Sequence, residues 1–107
     1  MHVRITVSHN KSKADVIRAV DRSFDDLFRG IATLPLQIVN EQRSWKEATL
    51  IFSFTAKMGI LSTPMSGTVE VTDNDVTIDA DLGLFEKLIP GASARAYLEK
   101  GVRGLLR

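Results

Sequence analysis

With 107 residues, the chain is long enough to form one domain with its own hydrophobic core, so neither a metal ion nor a disulfide is required for folding. It contains no cysteine, which excludes a disulfide framework, a thiol nucleophile and a cysteine-ligated metal. The 14 basic and 13 acidic residues leave a net charge of +1, which argues against nucleic acid as the partner.

The first residues predict a strand. Residues 2–8 alternate between polar and apolar side chains, so that Val3, Ile5 and Val7 share one face. This alternation is not the pattern of a signal peptide, and no apolar run approaches the roughly 18 residues that a membrane-spanning helix needs. We therefore expect a soluble protein of the cytoplasm without a transmembrane segment.

An amphipathic helix is predicted next. Ser12 is placed to cap it, and apolar residues then recur at steps of three and four over about five turns. The apolar stripe consists of Val16, Ile17, Val20, Phe24, Leu27, Phe28 and Ile31. Gly30 and Pro35 follow in the order that ends a helix.

Two strands are predicted after this helix. Residues 36–42 carry several polar side chains, as is typical of an edge strand, and a hairpin is expected over residues 43–47. Residues 48–58 alternate strictly between apolar and polar side chains, which indicates a strand with one buried and one exposed face.

The central connection, residues 59–64, is unusually apolar for a loop. Either the flanking strands extend into it, or it ends in an exposed apolar tip. Residues 67–72 and 76–82 alternate again and are joined by a short turn of Asp and Asn residues. These segments complete a four-strand meander.

The C-terminal part predicts a second helix. Pro90 and Gly91 end the apolar segment before it, and Ser93 is placed to cap it. Its apolar stripe consists of Ala94, Tyr97, Leu98, Val102 and Leu105.

The predicted order is β-α-β-β-β-β-α over a single domain, residues 1–107. This is an α+β fold in which an antiparallel sheet of about five strands is covered on one face by two helices, because each helix has one apolar stripe and no other partner. We expect the first strand to lie beside the last. Small helix-grip and TATA-binding-protein-like folds share this order, but a fold alone does not give a function.

Histidine and aspartate residues are the candidates for catalysis or metal binding. His9 follows the first strand, but nothing nearby in the sequence supplies an orienting carboxylate or a nucleophile, and turn capping is the alternative role. Asp79 and Asp81 share a strand face, but a solvated sheet face explains them and no calcium-loop pattern is present. We therefore predict a non-enzymatic protein without catalytic residues, metal or cofactor.

The least explained feature of the sequence is apolar. Leu84, Phe85, Leu88 and Ile89 form a short apolar segment which, if it is exposed, would bind a partner, a lipid or another copy of the chain in a homodimer. Ile60 and Leu61 are candidates for the same surface.

An internal pocket between the sheet and the last helix is the alternative to an exposed surface. It would hold a lipid or hydroxyacyl ligand, with Phe52, Phe54 and Tyr97 as its lining. A filled core in the same place is the third possibility, and the shortness of the chain favours it over a cavity.

The run SGTVEVTDNDVTIDADLG at residues 66–83, the following Leu84-Phe85 and the terminal Leu98-Glu99-Lys100 resemble the polyhydroxyalkanoic acid system protein family. The opening ITVSH at residues 5–9 is similar to the start of that family. The family consists of small bacterial proteins associated with polyhydroxyalkanoate storage granules. The resemblance implies an accessory role at the polyester granule surface or with granule proteins, without a catalytic assignment.

Overall fold

The computed structural model describes residues 2–29, 37–84 and 91–106, which form five strands and two helices. In chain order these are β1 (His2–Ser8), α1 (Lys13–Arg29), β2 (Gln37–Lys46), β3 (Thr49–Met58), β4 (Leu61–Val71), β5 (Asp75–Asp81) and α2 (Gly91–Leu105). The predicted α+β class and the order β-α-β-β-β-β-α are confirmed.

All five strands form one antiparallel sheet in the order β1-β5-β4-β3-β2. The first strand lies beside the last, as predicted, and Ile5 is opposite Ile78 in the register. Since β1 and β2 are the two edges of the sheet, the connection that contains α1 must run from one edge to the other. Helix α2 packs on β1 and on α1.

One hydrophobic core lies between the helices and one face of the sheet, which we call the inner face. Helix α1 contributes Phe24, whose ring meets the rings of Phe52 and Phe54 edge-on at centroid distances of 4.9 and 6.2 Å. Aromatic pairs favour this geometry. The buried apolar residues are Val3, Ile5, Val7, Val16, Val20, Phe24, Leu50, Phe52, Phe54, Ala56, Met65, Val69, Val71, Val76, Ile78, Ala80, Leu82, Leu98 and Val102.

The N-terminal ends of the two helices can be compared with the predicted caps, Ser12 and Ser93. The Asp15 backbone N–H donates to Ser12 Oγ at 3.2 Å, which confirms Ser12 as the N-cap of α1. The predicted end of α1 at Gly30 and Pro35 lies outside the described residues. Helix α2 begins at Gly91, two residues before Ser93, so the predicted cap of this helix is wrong.

The first hairpin turns later than predicted. Arg43 and Trp45 remain in β2 opposite Phe52 and Leu50, and the turn is at residues 47–48 instead of 43–47. The prediction failed because polar residues in an edge strand resemble a loop in sequence. A register shift between residues 39 and 42 marks a β-bulge in the same strand.

The second hairpin is longer than its sequence suggested. Only Gly59 and Ile60 form the turn, and β4 begins at Leu61, so the strands extend through most of the predicted connection. Strand β5 stops opposite Ser66, and residues 61–65 therefore pair with β3 alone. We call this projecting part of the sheet, together with the residues beside it, the hairpin end; it comprises residues 37–39, 55–65 and 83–84.

Pro64 lies within the projecting part of β4. Its carbonyl oxygen points towards Gly83 and hence away from β3, because a Cβ built on Gly83 would lie 2.6 Å from it. The N–H and C=O of one strand residue point to the same side. The missing N–H of Pro64 is therefore on the side that β5 no longer occupies, and it removes no hydrogen bond between β3 and β4.

Candidate apolar binding site at the hairpin end

Three large apolar side chains are exposed at the hairpin end. Ile60, at the turn, is fully exposed (103%), and its neighbour Leu61 is 50% exposed. Leu84, which follows β5, is 59% exposed. The sequence left the exposure of Leu84 open, and the structure exposes it, whereas Phe85, Leu88 and Ile89 lie outside the described residues.

A network of short polar contacts fixes the backbone at Leu84. The Leu84 N–H donates to Thr63 Oγ1 at 2.9 Å, although the two residues are 21 positions apart in the chain. Thr63 itself is only 5% exposed and lies on the inner face in line with Met65. The Gly83 N–H donates to Asp81 Oδ1 at 2.8 Å. Leu84 is therefore attached to β4 in a defined position while its side chain stays in solvent.

The turn at Gly83 also changes the pKa of Asp81. The hydrogen bond from the Gly83 N–H stabilises the carboxylate and lowers the pKa of Asp81 below its ordinary value of 3.8. The charge therefore strengthens the turn that precedes Leu84 at neutral pH.

Gly83 is required by this turn for two reasons. Its φ angle is +58°, a conformation that side-chain-bearing residues rarely adopt. A Cβ at this position would also collide with Thr63 Oγ1 and with the carbonyl oxygen of Pro64. The close approach of Gly83 to β4 is what brings the Leu84 N–H within reach of Thr63.

The hairpin end is poor in charge. Lys57 is the one charged residue in the sequence ranges 37–39, 55–65 and 83–84. The chain as a whole is 25% charged, so this end differs sharply from the average. An apolar partner can approach it with little desolvation of ionised groups.

His9 has a structural role at the opposite end of the sheet. Its Nδ1 accepts the Lys11 backbone N–H at 3.1 Å, and its Nε2 lies 2.9 Å from the Thr72 carbonyl oxygen. Because Nδ1 is an acceptor, the proton is on Nε2, which donates to Thr72. These bonds connect the β1–α1 loop to the β4–β5 turn. The alternative of turn capping thus describes His9 better than catalysis.

The aspartates of β5 are engaged in local contacts. Asp79 Oδ2 accepts from Arg4 Nη1 at 3.0 Å on the outer face of the sheet. Asp81 binds the Gly83 N–H, as described above. Over residues 2–29, 37–84 and 91–106, no three His, Asp or Glu side chains are grouped as metal ligands.

The three aromatic residues of the predicted pocket lie in different surroundings. Phe52 and Phe54 are buried, and their rings pack on Phe24 in the core. Tyr97 is 48% exposed on α2, where Leu98 and Val102 make the buried contact. A pocket shared by Phe52, Phe54 and Tyr97 stays a prediction.

A polar cluster that the sequence did not predict joins α1 to the edge of the sheet. Arg43 packs over the ring of Phe24 at 5.0 Å from the centroid and donates to the Asp21 carbonyl oxygen at 2.9 Å. Trp45 Nε1 donates to Asp21 Oδ1 at 3.1 Å. These groups satisfy one another across 22 to 24 positions of chain, so we assign them a structural role.

Comparisons with known proteins identify no family. No family model and no curated protein match the chain. Among solved structures, Ara h 8.0201 superposes with a TM-score of 0.37 and 11% identity over 97% of this chain and 98% of that one. The Zhui aromatase/cyclase from a Streptomyces species gives a TM-score of 0.37 and 13% identity over 98% and 86% of the two chains. At this level of superposition, neither likeness indicates what this chain binds or catalyses.

Proposed function

We propose that this chain is a non-enzymatic binding protein that holds the acyl chain of a lipid or hydroxyacyl ligand at the hairpin end. The observation that carries the proposal is the exposure of Leu61 and Leu84 at one charge-poor end of the sheet. Isolated apolar residues are common on protein surfaces, whereas grouped ones mark binding sites.

Such a ligand would lie along the inner face of the sheet, next to the apolar core. Along β4, Met65 and Thr63 are buried and Leu61 is half-exposed, although all three side chains point to the same side of the strand. The apolar core thus continues into solvent at the hairpin end. An acyl chain laid against Leu61 and Leu84 would extend the core outward and remove both side chains from water.

The proposal is tested by titrating the protein with a fluorescent fatty acid and displacing the probe with hydroxyacyl compounds. Leu61→Ser and Leu84→Ser are each expected to weaken binding roughly tenfold, because each loses part of the 1.5–3 kcal/mol of a buried leucine. Ile51→Ser is the matched control, since Ile51 is also half-exposed (48%) but lies in β3 on the outer face.

Folding of each variant is checked first by circular dichroism. Equal losses in all three variants, or no saturable binding by the wild type, would contradict the proposal. Unchanged affinity in Leu61→Ser and Leu84→Ser would place the ligand elsewhere.

A second candidate is an accessory role at the polyhydroxyalkanoate granule surface in the cytoplasm, which the resemblance to the polyhydroxyalkanoic acid system family implies. The observation that favours it is the full exposure of Ile60 at a projecting turn, a position suited to contact with an extended surface. Co-sedimentation with polyester particles tests it, with Leu84→Ser expected to reduce the bound fraction and Ile51→Ser to leave it unchanged.

Phe85→Ser and Leu88→Ser extend the same test to the predicted segment beyond the described residues. A homodimer that covers Leu84 would weaken both candidates, and light scattering with and without the substitution Leu84→Ser detects it. Particle binding that survives all these changes would exclude this surface as the granule contact.

A further inference from the structure

We propose that the second hairpin, β3–β4, docks on lipid surfaces by inserting its turn, with Ile60 as the residue that penetrates. This inference concerns a lipid interface, whereas the proposed function concerns a single acyl ligand. It rests on the same hairpin end but on a different observation, namely the position of Ile60.

Ile60 lies on a convex turn, which fits a small ligand poorly. Its side chain is fully exposed at the outermost point of two strands that project beyond β5. Small molecules are bound mostly in concave sites that cover much of their surface. A convex apolar turn instead fits a soft surface that closes around it, and a lipid interface does so at no cost in protein rearrangement.

The neighbours of Ile60 fit the same partner. Leu61 precedes the buried part of β4 and is half-exposed, and Leu84 is exposed on the same end of the sheet. The turn would therefore enter first, and Leu61 and Leu84 would reach the level of the interface. Apolar area and attraction to anionic lipid together set the strength of such surface binding.

The charge of the hairpin end favours a lipid surface over a basic protein. Lys57 supplies a positive charge three residues from Ile60, and the nearby Asp81 carboxylate is bonded to the Gly83 N–H, while the sequence ranges 37–39, 55–65 and 83–84 contain no acidic residue. Anionic lipid attracts a basic residue near the surface and would be repelled by an acidic one. The helices that the structure describes are too short or too polar to cross a membrane, so the inferred attachment is to the surface only.

The absence of cysteine from the chain allows a direct test. Ile60→Cys and Ile51→Cys are each labelled with an environment-sensitive nitrobenzoxadiazole dye and mixed with phosphatidylcholine vesicles, with and without about one quarter phosphatidylglycerol. The dye at residue 60 is expected to brighten and shift to shorter wavelengths, and more so with the anionic lipid. The dye at residue 51, on the outer face of the sheet, should not respond.

Flotation of the unlabelled protein with the same vesicles excludes an effect of the dye. Ile60→Ser should reduce binding roughly tenfold, as expected for the loss of one inserted isoleucine, while Ile51→Ser binds like the wild type. Lys57→Glu should weaken binding to the anionic vesicles more than to the neutral ones. A dye at residue 60 that stays in water, or an Ile60→Ser variant that floats like the wild type, would overturn the inference.

The two proposals fail independently. Binding of a monomeric fatty acid without vesicle binding would leave the proposed function standing and refute docking. Vesicle binding through Ile60 without binding of a monomeric fatty acid would support docking and refute the proposed function. Binding to polyester particles but not to vesicles would likewise refute docking on lipid and favour the granule role.

Discussion

Gly83→Ala is the substitution that best tests how the hairpin end is built. The φ angle of +58° places a cost of about 1–2 kcal/mol on any side-chain-bearing residue. The new methyl group would in addition collide with Thr63 Oγ1 and the Pro64 carbonyl oxygen, and neither is the end of a flexible side chain. Relief of the collision requires the turn to move away from β4.

That movement has its own cost. It breaks the hydrogen bond from the Leu84 N–H to Thr63, whose hydroxyl is buried, and an unsatisfied buried polar group costs about 1–3 kcal/mol. We therefore expect Gly83→Ala to lower the free energy of unfolding by roughly 2–5 kcal/mol. Gly59→Ala is the matched control, because Gly59 has a φ angle of +61° but no atom within 4 Å of its Cβ position. It should lose only the 1–2 kcal/mol of backbone strain.

Urea unfolding followed by circular dichroism measures both variants. A domain of this size has about 5–15 kcal/mol of stability in total, so Gly59→Ala should fold fully, and Gly83→Ala should fold at least at low temperature. Equal losses in the two variants would refute the reasoning, because they would show that the contact with β4 contributes nothing beyond the backbone angle. Thr63→Val measures the hydrogen bond without the backbone strain. It nearly keeps the size of the side chain but leaves the Leu84 N–H without its acceptor, and it should cost about 1–3 kcal/mol.

Three further predictions address other parts of the chain. His9→Ala should destabilise the protein by about 1–3 kcal/mol through the lost bond to Thr72, with acyl-ligand affinity unchanged; a loss of affinity at full stability would instead indicate a functional histidine. Glu47→Gly should raise the urea midpoint by the equivalent of about 1 kcal/mol, because Glu47 has a φ angle of +58° in a two-residue hairpin loop, and an unchanged midpoint would contradict this. Asp81→Asn should cost stability at neutral pH. Since the folded-state pKa of Asp81 is lowered by the Gly83 N–H, the difference from wild type should shrink as the pH falls below 3.8, and a difference independent of pH would rule out the charge as its cause.

The strands and helices were predictable where the pattern is local. Val3, Ile5 and Val7 alternate along β1 in sequence and are all buried in the structure. Phe24 lies on the predicted stripe of α1 and fills the space above the sheet. A period of two or of 3.6 residues is determined by backbone geometry alone, so it can be recognised without tertiary contacts.

The turns and the polar contacts were less predictable because they depend on pairing at a distance. Glu47 carries no turn signal of its own, and its positive φ is imposed by the strands on both sides. Thr63 and Leu84 are 21 positions apart, and Trp45 and Asp21 are 24 apart. The sequence Asp81-Leu82-Gly83 did contain a local signal, since an aspartate two residues before a glycine favours a tight turn. Nothing local indicated that this turn would be attached to β4.

The composition of the hairpin end is not what folding alone would select. Ile60 is fully exposed and adds nothing to the core, and turns ordinarily carry polar residues or glycine. Leu84 is held in solvent by a glycine with a positive φ angle and a buried hydroxyl, although a polar residue with the same backbone contacts would fold as well. Each of these features is ordinary alone, but together they place apolar side chains at a fixed, charge-poor end of the sheet. We propose that binding of an apolar partner accounts for that combination.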